Sequence, residues 1–382
     1  MNRTTGTYAL NTTLGEPVRA FVPHALPPAD PPLAPEVWQS LNAAAVMALQ
    51  RLSAVAGLVP SVDWLLYSAI RQEALLTSQI EGTQATLVDL FDDEAGLAIG
   101  NTDDVEEVTN YLRAFQWVLG QLRSPTGLPI SVRMLNEAHR LLLNGARGAG
   151  KQPGELRRSQ NWIGGTRPGN AVFVPPPAEQ VPRLLGDLER FIHADAVDLP
   201  PLVRVALVHA QFETTHPYLD GNGRIGRLLI AALLEHWHLL PEPLMYLSGY
   251  LKRHQAEYYR RLSAIRTDGD WEGWTRFFLE AVQCAAAQAE QAVVALASLV
   301  SSDRRRLLAH PKASPTAYRL FELLPTMPRI TVDRVCQTLN TTFPTASAAI
   351  RLLEELGVVT EMTGQRKNRT FSYLAYIDLL SR

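Results

Sequence analysis

Residues 216–227 read His-Pro-Tyr-Leu-Asp-Gly-Asn-Gly-Arg-Ile-Gly-Arg and lead directly into an apolar helical segment, 228–234. A Gly-rich loop that opens a helix directs backbone N–H groups and the positive end of the helix dipole at an anion. Arg224 lies three residues before Arg227, so the two guanidiniums share a helix face and can bind phosphate oxygens. The stretch therefore predicts a phosphate-binding loop at a helix N-terminus.

Two further side chains in this stretch carry chemistry. Asp220 offers the hard oxygen ligand that a phosphate-bound Mg²⁺ prefers. His216 is the one side chain here that exchanges a proton near neutral pH. A plain Gly-Asn turn capped by a helix requires neither of them, nor both arginines. The stretch thus predicts a Mg²⁺-nucleotide held beside a base.

The whole stretch resembles the signature of Fic-domain proteins: His, Pro, an aromatic residue, any residue, Asp or Glu, Gly-Asn-Gly-Arg, two variable residues and Arg. Every fixed position matches, with Tyr218 as the aromatic residue. The resemblance implies transfer of AMP from ATP to a hydroxyl of a target protein (AMPylation). The intact Gly-Asn-Gly-Arg disfavours the kinase-like relatives that carry Lys at the second glycine.

The resemblance also implies a role for each residue of the signature. His216 is expected to act as general base on the target hydroxyl. Asp220 is expected to hold Mg²⁺ bridging the α- and β-phosphates. The expected nucleotide contacts are Gly221, Asn222 and Gly223 around the α-phosphate, Arg224 at the β-phosphate and Arg227 at the γ-phosphate.

An upstream segment, 77–82, reads Thr-Ser-Gln-Ile-Glu-Gly at the end of a predicted helix. Glu81 lies at the negative end of that helix dipole, which gives the carboxylate no local structural role. The segment resembles the inhibitory motif of Fic proteins: Ser or Thr, three variable residues, Glu, then Gly or Asn. The resemblance implies that Glu81 pairs with Arg227 and keeps it from the γ-phosphate. The alternative is an exposed helix-end carboxylate.

Two more segments resemble parts of the family. Asn-Trp-Ile-Gly-Gly at 161–165 and the stretch 171–176 resemble a flap hairpin over the active site, whose residues Val172, Phe173 and Val174 would pair with an extended target. An ordinary surface hairpin is the alternative. Tyr259 and Arg266 fall where related proteins form the adenine pocket and are expected nucleotide contacts, although aromatic residues at helical spacing more often belong to a core.

Composition limits the class of protein. The 382 residues, 46% of them apolar, allow two or three domains with a full core. A net charge of −2 provides no global attraction to nucleic acid or membrane. Two cysteines are too few for a disulfide framework or a Cys-based zinc site. Without a signal peptide or an uninterrupted apolar run, the expected location is the cytoplasm, with no membrane span.

The periodicity predicts a mainly helical chain. Prolines in 22–36 predict an extended surface arm, and 170–174 is the clearest short strand. Gly82 is placed to end the second helix. The predicted helices cover 37–56, 62–80, 104–123, 130–145, 178–193, 201–215, 224–238, 252–266 and 271–299.

The composition changes near residue 301, where 301–306 mark the end of a long helix or a linker. Helices are predicted over 315–324, 331–340 and 344–356, and strands over 358–361 and 370–374. This order resembles a winged helix-turn-helix. The proposed recognition helix has one basic residue, Arg351, so the tail is predicted to recruit a protein or complete a homodimer, with weak and salt-dependent DNA binding.

The predicted fold class is mainly α: a Fic-type helical core with a small β-hairpin flap, plus a C-terminal winged helix-turn-helix. The predicted divisions are 1–100 for the arm and inhibitory helix, 101–300 for the catalytic core and 301–382 for the tail. The predicted function is AMP transfer from ATP, with Mg²⁺, to a Tyr, Thr or Ser hydroxyl of a protein, inhibited by Glu81.

Two alternatives stay open at this point. Glu81 could instead align a water that removes AMP from the target. The chain could also be a DNA-binding regulator that only senses a nucleotide, although a pure sensor has no need of His216. The target protein, the modified residue type and the oligomeric state are not given by the sequence.

Overall fold

A computed structural model describes residues 3–59, 61–145 and 149–381 of the chain. Most of these residues are helical, which confirms the mainly α prediction. The helices that precede the tail are α1 (Pro35–Val55), α2 (Val62–Ile80), α3 (Leu87–Glu94), α4 (Thr102–Arg123), α5 (Val132–Leu142), α6 (Val181–His193), α7 (Pro201–Thr215), α8 (Asn222–His236), α9 (Leu247–Arg253), α10 (Gln255–Asp268) and α11 (Trp271–Ala309).

Helix α7 lies at the centre of this bundle. Thirteen of its fifteen residues are buried, including polar ones such as His209 and Thr215. Trp274 of α11 is fully buried and donates from its indole to the carbonyl of Ala206, 2.9 Å away. Helices α8 and α11 both pack against α7. A helix buried on every side is a core element, so its C-terminal end is held in a fixed position.

Several predicted helix boundaries are wrong, including those at 252–266 and at 301–306. The helix expected over 252–266 is two helices, α9 and α10, broken at His254 (φ −112°, ψ 32°). Residues 301–306 are neither linker nor helix end, because α11 continues to Ala309. It stops where Pro311 follows, since the residue before a proline is pushed out of the helical region.

Helix α11 also bears on the expectation of no membrane span. It is long and apolar enough to cross a membrane, judged by length and composition alone. A core helix meets the same criterion, and α11 packs along α1 and α7.

The N-terminus forms a β-hairpin that the sequence analysis missed. Strands β1 (Gly6–Thr13) and β2 (Glu16–Pro23) pair antiparallel around a two-residue turn, Leu14 and Gly15. Both turn residues have positive φ, 51° and 80°, as a two-residue hairpin turn requires. The predicted proline arm over 22–36 begins inside β2 and ends where α1 starts.

The tail contains each predicted element, with some additions. Its helices and strands are α12 (Pro315–Leu323), β3 (Arg329–Thr331), α13 (Val332–Leu339), α14 (Phe343–Glu355), β4 (Thr360–Glu361), β5 (Thr370–Ser372) and α15 (Leu374–Leu380). The sheet order is β3-β5-β4, so β3 adds a third strand to the predicted hairpin. The winged-helix assignment and the domain division at 300/301 stay predictions.

Candidate active site

The signature stretch forms a tight loop between α7 and α8. Helix α7 ends at Thr215 and is capped by His216, whose φ of 47° is uncommon for a residue with a side chain. Gly221 (φ 75°) precedes the first residue of α8, Asn222, two residues earlier than predicted. The N–H groups of the first helical turn lack partners within the helix. The loop therefore presents His216 and a helix N-terminus side by side.

Asn222 shapes this loop rather than projecting from it. Its side chain is buried, its Oδ1 accepts from the Tyr218 N–H (2.8 Å), and its Nδ2 donates to the Tyr218 carbonyl (2.8 Å). The amide thus closes a ring across four residues. The Asn222 side chain thus holds the backbone of the loop, and the nucleotide contacts expected of residues 221–223 stay predictions.

Beneath the loop lies His139 of α5, which the sequence analysis did not single out. Its ring stacks on Tyr218, with centroids 3.8 Å apart, and its Nδ1 accepts from the Gly154 N–H (2.9 Å). The proton is therefore on Nε2, which donates to the Asp220 carbonyl (3.0 Å). Burial lowers the pKa of His139 to about 4, so the ring stays neutral and fixes the backbone of Asp220.

Arg157 supports the other end of the loop and was also missed. It is almost completely buried, and it donates from Nε to the His216 carbonyl (2.8 Å) and from Nη2 to the Pro176 carbonyl (2.5 Å). Its backbone N–H donates to the Pro217 carbonyl (2.9 Å). One side chain thus ties His216 to Pro176, the last residue of the stretch 171–176.

The imidazole of His216 is set up as a neutral base. Burial, followed by the charge of Arg157, lowers its pKa to about 4. At neutral pH a histidine with that pKa is already in its neutral form, so it can accept a proton from a substrate. The cost of burying a charged ring next to an arginine is what keeps it neutral.

Glu81 contacts Arg227 as the sequence predicts. Arg227 is buried and donates from Nη2 to Glu81 Oε1, from Nε to Thr77 Oγ1 (2.6 Å) and from Nη2 to the Thr77 carbonyl (3.2 Å). Burial acts to raise the pKa of Glu81, but the charge and hydrogen bond of Arg227 outweigh it, so the pKa is lowered. The pair is therefore ionised. Two residues one helical turn apart, Thr77 and Glu81, hold Arg227 in place.

Arg224 is held by a different carboxylate, Glu107 of α4, at 2.5 Å. Both side chains are largely buried, at 6% and 17% exposure. Asp220 lies on the other side of Arg224, with its Oδ1 3.6 Å from Nη2. These residues line a cavity of about 200 Å³. Glu107 could not be singled out from the sequence, because acidic residues are common on the solvent-facing side of helices.

Asp220 fits the expected Mg²⁺ as a single protein ligand. Its carboxylate is about half exposed and borders the cavity, and Oδ1 accepts from the Gly221 N–H at 2.6 Å. Mg²⁺ is usually held by one or two carboxylates together with substrate phosphates and waters. Among the described residues, no three or more His, Cys, Asp or Glu form a metal cluster, so the substrate would have to supply further ligands.

Comparisons with known proteins agree with this geometry. Residues 39–119 match the model of the Fic/DOC family N-terminal region, and 129–234 match that of the Fic/DOC family. The chain carries a Fic domain. The matched regions contain α2 with Glu81, the complete signature loop and both supporting residues, His139 and Arg157.

Curated relatives include the protein adenylyltransferases Fic of Drosophila erecta and Drosophila ananassae. The first is 27% identical over 41% of this chain and 28% of its own length, and the second 25% identical over 54% and 39%. The chain thus spans well under half the length of these relatives.

Solved structures of Fic proteins share the fold. A Fic family protein from Desulfovibrio desulfuricans G20 is 20% identical, with a TM-score of 0.56 over 88% of this chain and 95% of that one. Fic-1 from C. elegans is 21% identical, with a TM-score of 0.52 over 70% of this chain and 75% of that one.

The flap of the Fic domain is joined to the N-terminal hairpin. Ile163 and Phe173 form a β-bridge, and Val174 accepts at its carbonyl from the N–H of Phe21 in β2 (2.9 Å). The carbonyl of Val174 is thus occupied by the chain itself. Target docking by Val172, Phe173 and Val174 stays a prediction, with Val172 80% exposed.

The two expected adenine contacts of the Fic domain lie on α10. Arg266 stacks its guanidinium over the Phe173 ring, 3.7 Å from the centroid, and its charge contributes to lowering the pKa of His216. Tyr259 is about half exposed, whereas its neighbour Tyr258 is buried and bonded to His209 (2.8 Å). Neither candidate lines the cavity beside Arg224, and their nucleotide contacts stay predictions.

Glu213 adds a buried carboxyl that the sequence analysis missed. Burial raises its pKa to about 7, and the charge of Arg227 opposes that rise. Its Oε1 lies against Gly226, where a Cβ would approach within 2.3 Å. This contact gives a reason for glycine at a position that the Fic signature leaves variable.

Proposed function

We propose that this chain transfers AMP from ATP to a hydroxyl side chain of a protein. The observation that carries the proposal is the imidazole of His216, kept neutral by a pKa lowered to about 4 and fixed beside the N-terminus of α8 and the Asp220 carboxylate. A base and an anion site in adjacent residues suit attack of a hydroxyl on a phosphate. The adenylyltransferase names of the curated relatives support the same reaction.

In the proposed reaction the hydroxyl oxygen of a Tyr, Thr or Ser forms a bond to the α-phosphorus as the bond to the β-phosphate oxygen breaks. His216 accepts the hydroxyl proton, and pyrophosphate leaves. Backbone N–H groups around Gly221 and Gly223, that of Asn222 included, hold the α-phosphate. Arg224 and Arg227 hold the leaving pyrophosphate. Mg²⁺ held at Asp220 would neutralise charge on the phosphates.

We further propose that Glu81 inhibits this reaction. Arg227 cannot serve the γ-phosphate while its Nη2 donates to Glu81. The ion pair keeps the arginine occupied when no nucleotide is bound. The location expected for the enzyme is the cytoplasm.

The test is incorporation of label from α-labelled ATP into protein, with Mg²⁺. The Glu81→Gly variant is compared with Glu81→Gly/His216→Ala. Glu81→Gly is expected to incorporate label, and the double variant is expected to incorporate about 10²- to 10⁴-fold less. ATP affinity should be similar in both, because the phosphate contacts come from other groups. Equal labelling would remove His216 from the mechanism.

A nucleotide-sensing DNA-binding regulator is the second candidate, favoured by the charge of the tail. Residues 301–382 contain twelve Lys and Arg against seven Asp and Glu, whereas the whole chain is negative. A basic segment attracts nucleic acid through phosphate contacts that carry no sequence information. The single basic residue of α14, Arg351, favours weak binding of this kind.

A further inference from the structure

The inhibitory helix α2 is held between the signature helix and the tail. One stripe of α2, with residues spaced by four, faces the active site: Glu73, Thr77 and Glu81. Thr77 and Glu81 bind Arg227, and Glu73 accepts from the Ser248 N–H (3.1 Å). Residues four apart share a helix face, so this stripe as a whole presses toward α8 and α9.

A neighbouring stripe of α2 faces the tail. Ser68 Oγ lies 2.8 Å from the Tyr376 hydroxyl of α15, and Gln72 donates from its side chain to the Leu380 carbonyl. Ser68, Gln72 and Tyr376 are all buried. These buried polar contacts join residues more than 300 positions apart in the sequence. Losing one of these hydrogen bonds destabilises the contact between α2 and the tail, because water cannot replace it.

Helix α2 is suited to connect the two contacts. Its residues 62–80 include no glycine or proline, so the helix has no built-in hinge. Ser68 and Glu81 are thirteen residues apart, roughly 20 Å along the helix. If the contact between α2 and the tail is loosened, the Glu81 end of the helix therefore moves away from Arg227 more easily.

We propose that Tyr376 is a positioning residue for the proposed reaction: the tail backs α2 and thereby keeps Glu81 on Arg227. This inference rests on the proposed function and assigns the tail a part in controlling the same site. A ligand or protein that displaces α15 would lower the cost of withdrawing Glu81, and AMP transfer would rise.

The chain offers a closely matched pair of variants. Tyr376→Phe removes the hydroxyl that meets Ser68 and leaves the ring. Tyr373→Phe makes the same change in a neighbouring buried tyrosine whose hydroxyl donates to Asp303 of α11 (2.6 Å). The two rings stack, 5.4 Å apart, so both substitutions are made in the same packing environment, and they differ in the partner that loses its hydrogen bond. Ser68→Ala removes the same contact from the α2 side.

The experiment measures the initial rate of label incorporation from α-labelled ATP and the hydrogen exchange of backbone amides over 74–82 in the full chain. Tyr376→Phe and Ser68→Ala are each expected to raise the rate about two- to tenfold, the range that loss of one buried hydrogen bond allows. Exchange should rise in the same variants. Tyr373→Phe should leave both at the wild-type level. In a Glu81→Gly background, Tyr376→Phe should add nothing.

Three results would overturn the inference: an unchanged or lower rate in Tyr376→Phe, an equal response of both phenylalanine variants, or a gain that persists without Glu81. If Glu81→Gly itself labels no protein, the proposed function fails separately. Hydrogen exchange then decides alone: faster exchange in Tyr376→Phe than in Tyr373→Phe supports backing of α2 by the tail, and equal exchange refutes it.

Discussion

Replacing Glu81 by glycine should raise AMP transfer about tenfold. The substitution removes the carboxylate that accepts from Arg227 Nη2 and changes no residue of the signature loop. A hydrogen bond between charged groups contributes about 1.5–3 kcal/mol, which corresponds to roughly 10- to 100-fold in the population of the released arginine.

Two features of the structure favour the lower end of that range. The Glu81 side chain is 34% exposed, so solvent screens the pair. Arg227 also keeps its hydrogen bonds to Thr77 Oγ1 and to the Thr77 carbonyl after Glu81 is gone. The arginine is therefore only partly released.

The assay is the rate of label transfer from α-labelled ATP at several ATP concentrations, with automodification included. Glu81→Gln is the matched control, because it keeps the length of the side chain and removes only the charge. It should give an intermediate rate. Arg227→Ala in the Glu81→Gly background should abolish the gain, since the two residues act on one interaction. Equal rates in wild type and Glu81→Gly would refute the reasoning.

Four further outcomes are expected. Because burial lowers the pKa of His216 to about 4, kcat/KM of Glu81→Gly for ATP should stay level from pH 8 to pH 6 and fall only near that pKa, not near the ordinary 6.5. Asn222→Ala should lower transfer about tenfold or more by loosening the loop, while circular dichroism stays unchanged. Glu107→Ala should lower the free energy of unfolding in urea by roughly 2 kcal/mol, because it leaves the buried Arg224 charge without its nearest partner. In gel-shift titrations, DNA binding by the full chain should be weak at low salt and lost at physiological salt, and tight sequence-selective binding would favour the regulator.

The sequence predicted the parts of the site that lie within one continuous segment. The signature loop and Glu81 each combine several unusual residues at fixed spacing, so a chance match is improbable. Helix α2 was predicted to the residue, because an uninterrupted apolar period ends at Gly82. These signals lie within short continuous segments, which can be recognised from a single sequence.

The missed residues come from distant elements. His139, Arg157 and Glu107 each reach the loop alone from a different part of the chain, and their roles exist only after folding. The β1–β2 hairpin was missed for a local reason. Its turn places Leu14 at φ 51°, a position usually filled by Asn, Asp or Gly, so the usual hairpin signal is absent.

Helix α11 has a consequence for how the chain can be divided. Its 39 residues make a rod of roughly 58 Å that belongs to both the bundle and the tail. A cut at residue 300 would split the rod between the buried Val300 and Leu307 and leave an apolar end on each piece. Fragments made there should be poorly soluble, and the intact chain should melt in a single cooperative transition.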